Sequence, residues 1–567
     1  MLKGPIPFII FYLLVQLLLY LEIISNILNE SKRSADHCLP VNLKTISMTR
    51  PANLQRLDRN NWIVYAVLFL SLCYFALLVS FIHNGVFYSA DGGVKSIAIR
   101  QLTKGYGFKY LHLDQPSWVQ SIWQDGFFPF RPPFFYPSTD GYMFVFPPAF
   151  QIINSFFYSR LGYAGLYILP VSSMLLLWVC TILLLKRCGI SPSGIALALF
   201  VLVFCSPLTV YGTMYWEHAP AVLLLFAGVA FIARTPTRLP AAVMLGLVSG
   251  LAIWLRPEAI LMNFLYALAA IVLYVREKRP VYVAFVSCLF ISVLCFFAFN
   301  KAEYGSILGL HSQQVVNSDD PETRMTAGHV LHNLVMNNYR SIRYFFFILL
   351  LLPVVYRPFT SPKDRDLRPG LLAGIVFAFS LIAPFIVPNE GGRQWGARYF
   401  LPLIPIIVVA LCLAYKQWDH FTTLLKPVWL TVIILCCFGY SFLHNTYKGG
   451  IKEMRWAYTQ RVKPSLDTIT AKPGNVVVVF APYMAYELGS AFSKEYFFLA
   501  PGDDSLRKLL PLLKRQGIHE YTYISDPRDS NSWSVLHRDS ATIKQMEAAI
   551  RENKVKDEFL LTKFTIE

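Results

Sequence analysis

LPAAVMLGLVSGLAIWLRPEAILMNFLYALAAIVLYV, residues 239–275, is largely apolar and carries no charge except at Arg256-Pro257-Glu258. Each half approaches the ~20 residues that a helix needs to cross ~30 Å of hydrocarbon. A proline at the junction frees backbone groups, which lipid cannot satisfy, so the break belongs in a wet or protein-lined cavity. The stretch therefore reads as two membrane helices joined at a polar turn, closed by an Arg256–Glu258 ion pair or opening onto a site.

Composition generalises this reading. Of 567 residues, 55% are hydrophobic and 15% charged, against about 25% charged in soluble proteins, and the mean hydropathy is +0.46. Apolar runs recur without the strict alternation of a membrane barrel. The fold class is a polytopic α-helical membrane protein with about 11–12 transmembrane helices and a small C-terminal α/β domain. The net charge of +17 comes without a basic stripe or a nucleic-acid motif, so no nucleic acid is expected as a partner. The ten cysteines avoid the large polar loops and the tail, and no disulfide framework is implied.

Spans are expected near 62–83, 163–186, 193–210, 219–234, 239–255, 258–275, 280–299, 342–356, 369–388, 398–415 and 427–443. The segment 5–28 is a further span or a leader, within an extension, 1–59, whose second possible start is Met48. Arg56 and Arg59, Lys186-Arg187, Arg234/Arg238, Arg276/Lys278/Arg279 and Lys363/Arg365/Arg368 fill every second connection, which makes those connections cytoplasmic. A central domain, 60–445, then exposes its long loop 84–162 on the other side, together with a soluble domain, 446–567. Within that loop, 94–103 reads as an amphipathic helix lying in the interface, and 142–160 as another or a re-entrant piece. The connection 300–341 is expected to cross over the site. In the tail, "NVVVVFA", "EYFFLA" and "HEYTYISD" read as strands alternating with helices, "SLRKLLPLLKRQG" being amphipathic. The order βαβαβ implies a small parallel sheet, without a glycine-rich phosphate loop. The Asn29-Glu30-Ser31 sequon falls on the cytoplasmic side.

This topology gathers the odd residues at one boundary. Asp91, in "SADGG", lies just past the 62–83 span, where Gly92-Gly93 allow a sharp turn. Shielded by apolar walls, its carboxylate has the chemistry of a general base; the alternative is an ordinary turn aspartate. Glu217 and His218, in "WEHAP", occupy a short turn and read as supporting polar residues or as a solvated turn. Glu-His without further ligands at fixed spacing is a weak metal signal. In "GGRQWGARYFLPLIP", 391–405, Arg393 and Arg398 stand one and a half helical turns apart across Gly396. Both can reach one phosphate, whose oxygens the guanidinium fork matches; a lone Arg398 would instead snorkel to the interface. Tyr136, Trp216 and Trp395 are sugar-stacking candidates or interfacial anchors.

Taken together, Asp91 after the first core span, "FPFRPPFF…FVFPPAF", "WEH", "RPEA" and "GRQWGARYFLPLIP" resemble the clan-C membrane glycosyltransferases, the GT-C superfamily. Within it, the likeness is to bacterial proteins related to protein O-mannosyltransferases and the lipid A aminoarabinose transferase, over roughly residues 60–445. The resemblance implies a GT-C-like helix arrangement and a sugar taken from a polyprenyl-phosphate carrier on the non-cytoplasmic face of a bacterial inner membrane. It also implies that Asp91 is the catalytic candidate. Many relatives carry two adjacent acidic residues where Asp91 is followed by glycine, so a divalent metal is possible but short of ligands here, and the sequence implies no certain cofactor.

The expected chemistry is inverting transfer to an acceptor hydroxyl of a protein, lipid or glycan. Asp91 would act as base, Arg393, Arg398 and Arg256 would hold the donor phosphate, and Glu217, His218 and Glu258 would support them. The competing class is a transporter or flippase of lipid-linked saccharide, suggested by the many spans and the break at 256–258. Transporters usually show internal repeats around a mid-membrane site, and none is visible here.

Overall fold

The computed structural model describes residues 61–112, 114–132, 134–139, 141–310, 344, 346–351, 366–386, 393–416, 427–526 and 559–566. The expected span at 5–28, the part of the crossing loop 300–341 from 311 onward and about half of the span at 342–356 lie outside them.

Among the described residues, ten apolar helices belong to the membrane part: α1 (Asn61–Ser80), α4 (Ile168–Arg187), α5 (Pro192–Phe204), α6 (His218–Ala233), α7 (Leu239–Leu255), α8 (Ala259–Glu277), α9 (Pro280–Tyr304), α10 (Arg368–Ile386), α11 (Leu403–Tyr415) and α12 (Pro427–Phe442). Among the described residues, five helical stretches are long and apolar enough to cross a membrane. Phe69 on α1, Phe290 on α9, and Leu381 and Phe385 on α10 are exposed. In water such faces would drive association; on a multi-pass membrane protein they meet lipid tails. By contrast α5, α6 and α11 are largely buried and only 13, 16 and 13 residues long. At 1.5 Å per residue they fall short of the ~30 Å hydrocarbon layer, and α6 starts where the polar turns described below begin. The break at Arg256-Pro257-Glu258 does separate α7 from α8. Helix α7 lies against α9 at Gly246 and Gly250, where an added Cβ would come within 2.8 Å of Phe285 O and 2.3 Å of Ser292 Oγ. Small residues four apart let two membrane helices approach this closely.

The basic loops collect at one end of the bundle, where Arg279 donates to Pro236 O, Lys416 to Cys188 O and Arg368 to Glu277. The opposite end carries the long first loop. There α2 (Ala90–Thr103) is followed by a hairpin of β1 (Phe135–Ser138) and β2 (Gly141–Phe144), antiparallel with Phe135 opposite Phe144. Next comes α3 (Ala149–Leu161), which exposes Ile152, Ile153 and Phe156 as an interfacial helix does. The helix expected at 94–103 in the interface is instead buried: every residue from Asp91 to Ile99 is enclosed. Its cover is the C-terminal domain.

The boundary expected at 445 falls inside a helix. α12 runs on without a break through wide π-type turns to Arg461. Asn445 and Thr446 on this extension donate to Cys205 O and Phe204 O at 2.9 and 2.7 Å, satisfying carbonyls that the end of α5 leaves open. Beyond it, β3 (Val476–Val479), α13 (Pro482–Glu487), β4 (Tyr496–Leu499), α14 (Asp503–Arg515), β5 (Glu520–Ser525) and β6 (Leu560–Thr565) build a sheet of order β4-β3-β5-β6. The first three strands are parallel, and all four β3 valines are buried. Strand β6, antiparallel to β5, adds an edge beyond the expected three strands. Helix α14 buries Leu506, Leu509 and Leu513 on one face.

Candidate active site

Asp91 stands in the first turn of α2, where the free N–H groups and the helix dipole favour a carboxylate. Gly92 and Gly93 belong to this helix and do not form the expected turn. Gly93 is there for room: a Cβ on it would lie 1.7 Å from Tyr486 O of the C-terminal domain. Arg398 opens a short helical turn before α11 and reaches back across 307 positions, its Nη1 standing 3.2 Å from Asp91 Oδ2. The pair is largely buried. The Arg398 guanidinium also lies 5.3 Å from the Tyr399 ring and 5.9 Å from Trp216. Its Nε–H finds no hydrogen-bond partner among the described residues.

One turn further along α2, Lys95 is 1% exposed and lies 4.4 Å from the Phe146 ring. Burial of such a charge requires a partner, and Lys95 donates to Glu217. The same carboxylate receives Arg256 Nη1 at 3.0 Å, and Arg256 donates in turn to Glu258. Burial works to raise the Glu217 carboxyl, but Lys95 and Arg256 outweigh it and lower it to about 2. Lys95, Arg256 and Arg398 thus face Asp91, Glu217 and Glu258, cation against anion throughout.

Below this network opens a groove of about 360 Å³, counted with the solvent open to it, between α6, α8 and α10. Arg256, Glu258, His218, Arg398 and Tyr399 line its head; Val222, Leu225, Met262, Phe379 and Leu401 line its wall. The pattern is amphiphilic, with cations at one end and hydrocarbon along the length.

The structure brings Asp91, Glu217, His218, Arg256, Glu258 and Arg398 together. It sends Arg393 elsewhere, because residues 393–397 are not helical and Gly396 takes a left-handed φ of 76°. Arg393 Nη2 pairs with Glu453 Oε1 at 2.9 Å, over the Trp456 ring at 4.1 Å, and Glu453 also accepts from Tyr88. Arg393 is not among the residues lining the groove. Trp395 is half-buried, stacked on His444 at 5.2 Å and donating to Asn445. Trp216 is 1% exposed and packs against Tyr88, Tyr211 and His218, so no open face is left for a sugar. Tyr136 sits half-buried on β1 opposite Met143. Among the described residues, no three His, Cys, Asp or Glu side chains come together as a metal site.

Sequence reasoning missed Lys95, Tyr399 and Glu453. For Lys95 a signal existed, since residues four apart share a helix face and Lys95 follows Asp91 by four. Glu453 carried none, because the helix was expected to stop before it.

No family model and no curated protein matches this chain. Among solved structures it is similar to ArnT from Cupriavidus metallidurans bound to undecaprenyl phosphate, at 12% identity and a TM-score of 0.48, covering 82% of this chain and 93% of that one. It is also similar to the oligosaccharyltransferase of Archaeoglobus fulgidus in complex with Zn and sulfate, at 11% identity and a TM-score of 0.46, covering 85% and 70%. The oligosaccharyltransferase AglB of the same organism, in complex with an inhibitory peptide and a dolichol-phosphate, matches at 10% identity and 0.44, covering 82% and 70%.

Proposed function

We propose that this protein is an inverting glycosyltransferase that moves a sugar from a polyprenyl-phosphate carrier to an acceptor hydroxyl at the outer face of the membrane. The observation that carries the reading is that Arg398, paired with Asp91, lines the charged head of a groove whose wall is hydrocarbon. A polyprenyl-phosphate-linked sugar has that same division, with an anionic phosphodiester head and an apolar chain.

In this reading Arg398 and Arg256 hold the donor phosphate, Arg398 offering the Nε–H that has no partner among the described residues. Their charge is fixed before the reaction and stabilises the negative charge that develops on the phosphate as the glycosidic bond breaks. The acceptor oxygen forms its bond to the anomeric carbon from the face opposite the phosphate. The carbon–oxygen bond to phosphate breaks, the polyprenyl phosphate leaves with the electron pair, and Asp91 takes the hydroxyl proton. Asp91 is held by Arg398 when no donor is present. A phosphate competing for that guanidinium loosens the carboxylate at the moment it is needed as a base. Arg393, paired with Glu453, braces the 393–400 segment in this scheme.

The test is mass spectrometry of envelope lipids and glycans from cells with the gene, without it, and with Asp91→Asn. The expected result is a sugar missing from one acceptor and its polyprenyl-phosphate donor accumulating, identically in deletion and variant. Unchanged acceptors and donors in the deletion, or full transfer by Asp91→Asn, would overturn the assignment.

A further inference from the structure

His218 opens α6 and lines the groove together with Arg256 and Arg398. It is 3% exposed, and neither Nδ1 nor Nε2 has a hydrogen-bond partner among the described residues. Its ring packs against aromatic neighbours, 5.2 Å from Tyr211 and 5.0 Å from Trp216. A histidine kept for packing normally spends a ring nitrogen on a backbone carbonyl or a carboxylate. One buried with both idle is costly, and such a group in a folded protein calls for an explanation. Glu217, its chain neighbour, is fully committed to Lys95 and Arg256, so the idle donor is not a spare member of that network.

We infer that His218 is a ligand of the donor headgroup, giving a ring N–H to a phosphate oxygen between the two guanidiniums. This rests on the donor reading above and adds a neutral-type donor to its cations. In either protonation state an imidazole has at least one N–H to give. Directed hydrogen bonding then selects a phosphate over an uncharged lipid of the same chain, a distinction the hydrocarbon wall cannot make.

The experiment uses the full chain in nanodiscs, with undecaprenyl phosphate as probe and undecaprenol as control, on the wild type, His218→Phe, His218→Asn and His218→Gln. Binding is measured by titration, and thermal unfolding is recorded without ligand. His218→Phe should bind the phosphate about tenfold more weakly, as expected for one lost hydrogen bond to a charged group. Its unliganded midpoint should equal or exceed the wild type's, because two unsatisfied nitrogens are gone. At least one of the two amide variants, which keep an N–H, should retain most of the affinity. Unchanged affinity in His218→Phe overturns the inference. So does weakened binding that neither amide restores, which would mark a packing role. A wild type that binds the phosphate no better than the alcohol would instead sink the donor reading itself.

Discussion

At the scale of single residues, the proposed function makes the site a competition for guanidinium. Under it, Asp91 and an incoming phosphate both seek Arg398, and in low dielectric a carboxylate 3.2 Å from that cation both screens it and repels a second anion. Asp91→Asn should therefore abolish transfer and yet tighten polyprenyl-phosphate binding severalfold, measured by the same titration. Weakened binding would show Asp91 to be needed for the shape of the site and not in competition for it. Glu217 supplies a second case. Its carboxyl is lowered to about 2 by Lys95 and Arg256 against the effect of burial. A carboxylate with a depressed value stabilises the fold above its ordinary value and loses that contribution as it protonates. The wild type should be more stable than Glu217→Gln above pH 4.5, with the difference vanishing as pH falls toward about 2. Thermal unfolding across that range checks the sign.

At the scale of elements, α2 is the piece whose placement matters, because it carries both Asp91 and Lys95 and is pressed between the bundle and the C-terminal domain. The fit is backbone to backbone, since the Gly93 position meets Tyr486 O at 1.7 Å and the Gly489 position meets Gly93 O at 2.7 Å. No side chain can swing away to make room there. Gly93→Ala should cost about 1–3 kcal/mol, as overpacking does, and reduce transfer by displacing Asp91. Gly92→Ala would meet the side chain of Phe87, with Cβ at 2.9 Å, and should be the milder change. Unfolding midpoints and transfer rates of the two variants test the ranking, and equal effects would mean the interface is looser than described.

At the scale of the molecule, the C-terminal domain is built into the helical part that carries the candidate site. Arg100 donates to Ser490 O, Gln115 to Phe492 O and Trp123 to Phe497 O, all from the first loop to the tail. The extension of α12 ends in Arg461, whose guanidinium grips Glu487 of α13 through two contacts of 2.7 Å, both side chains buried. Removing one member leaves a buried charge alone, which costs about 3–5 kcal/mol, whereas replacing both with apolar groups is often tolerated. Glu487→Leu should make the tail sensitive to limited trypsin digestion in membranes and lower transfer. Arg461→Met with Glu487→Leu should recover most of the resistance; failure to recover would show that the pair does more than hold the two parts together.

What the sequence determined by itself follows from local rules. Apolar runs of membrane length, basic residues in alternate loops, the proline break at 257 and the valine strand at 476–479 were legible because hydrophobicity and backbone preference act within a few neighbours. Asp91 was legible too, as a carboxylate where the chain leaves its first described helix. The pairing of charges was not. Arg393 and Arg398 are five residues apart and looked equivalent, yet the left-handed turn at Gly396 sends one to Glu453 and the other to Asp91. Lys95 looked like the polar face of an interfacial helix until the tail folded over it. Only the tertiary structure decides such matters, because a buried charge is defined by the partner that distant parts of the chain bring to it, and no local pattern encodes that meeting.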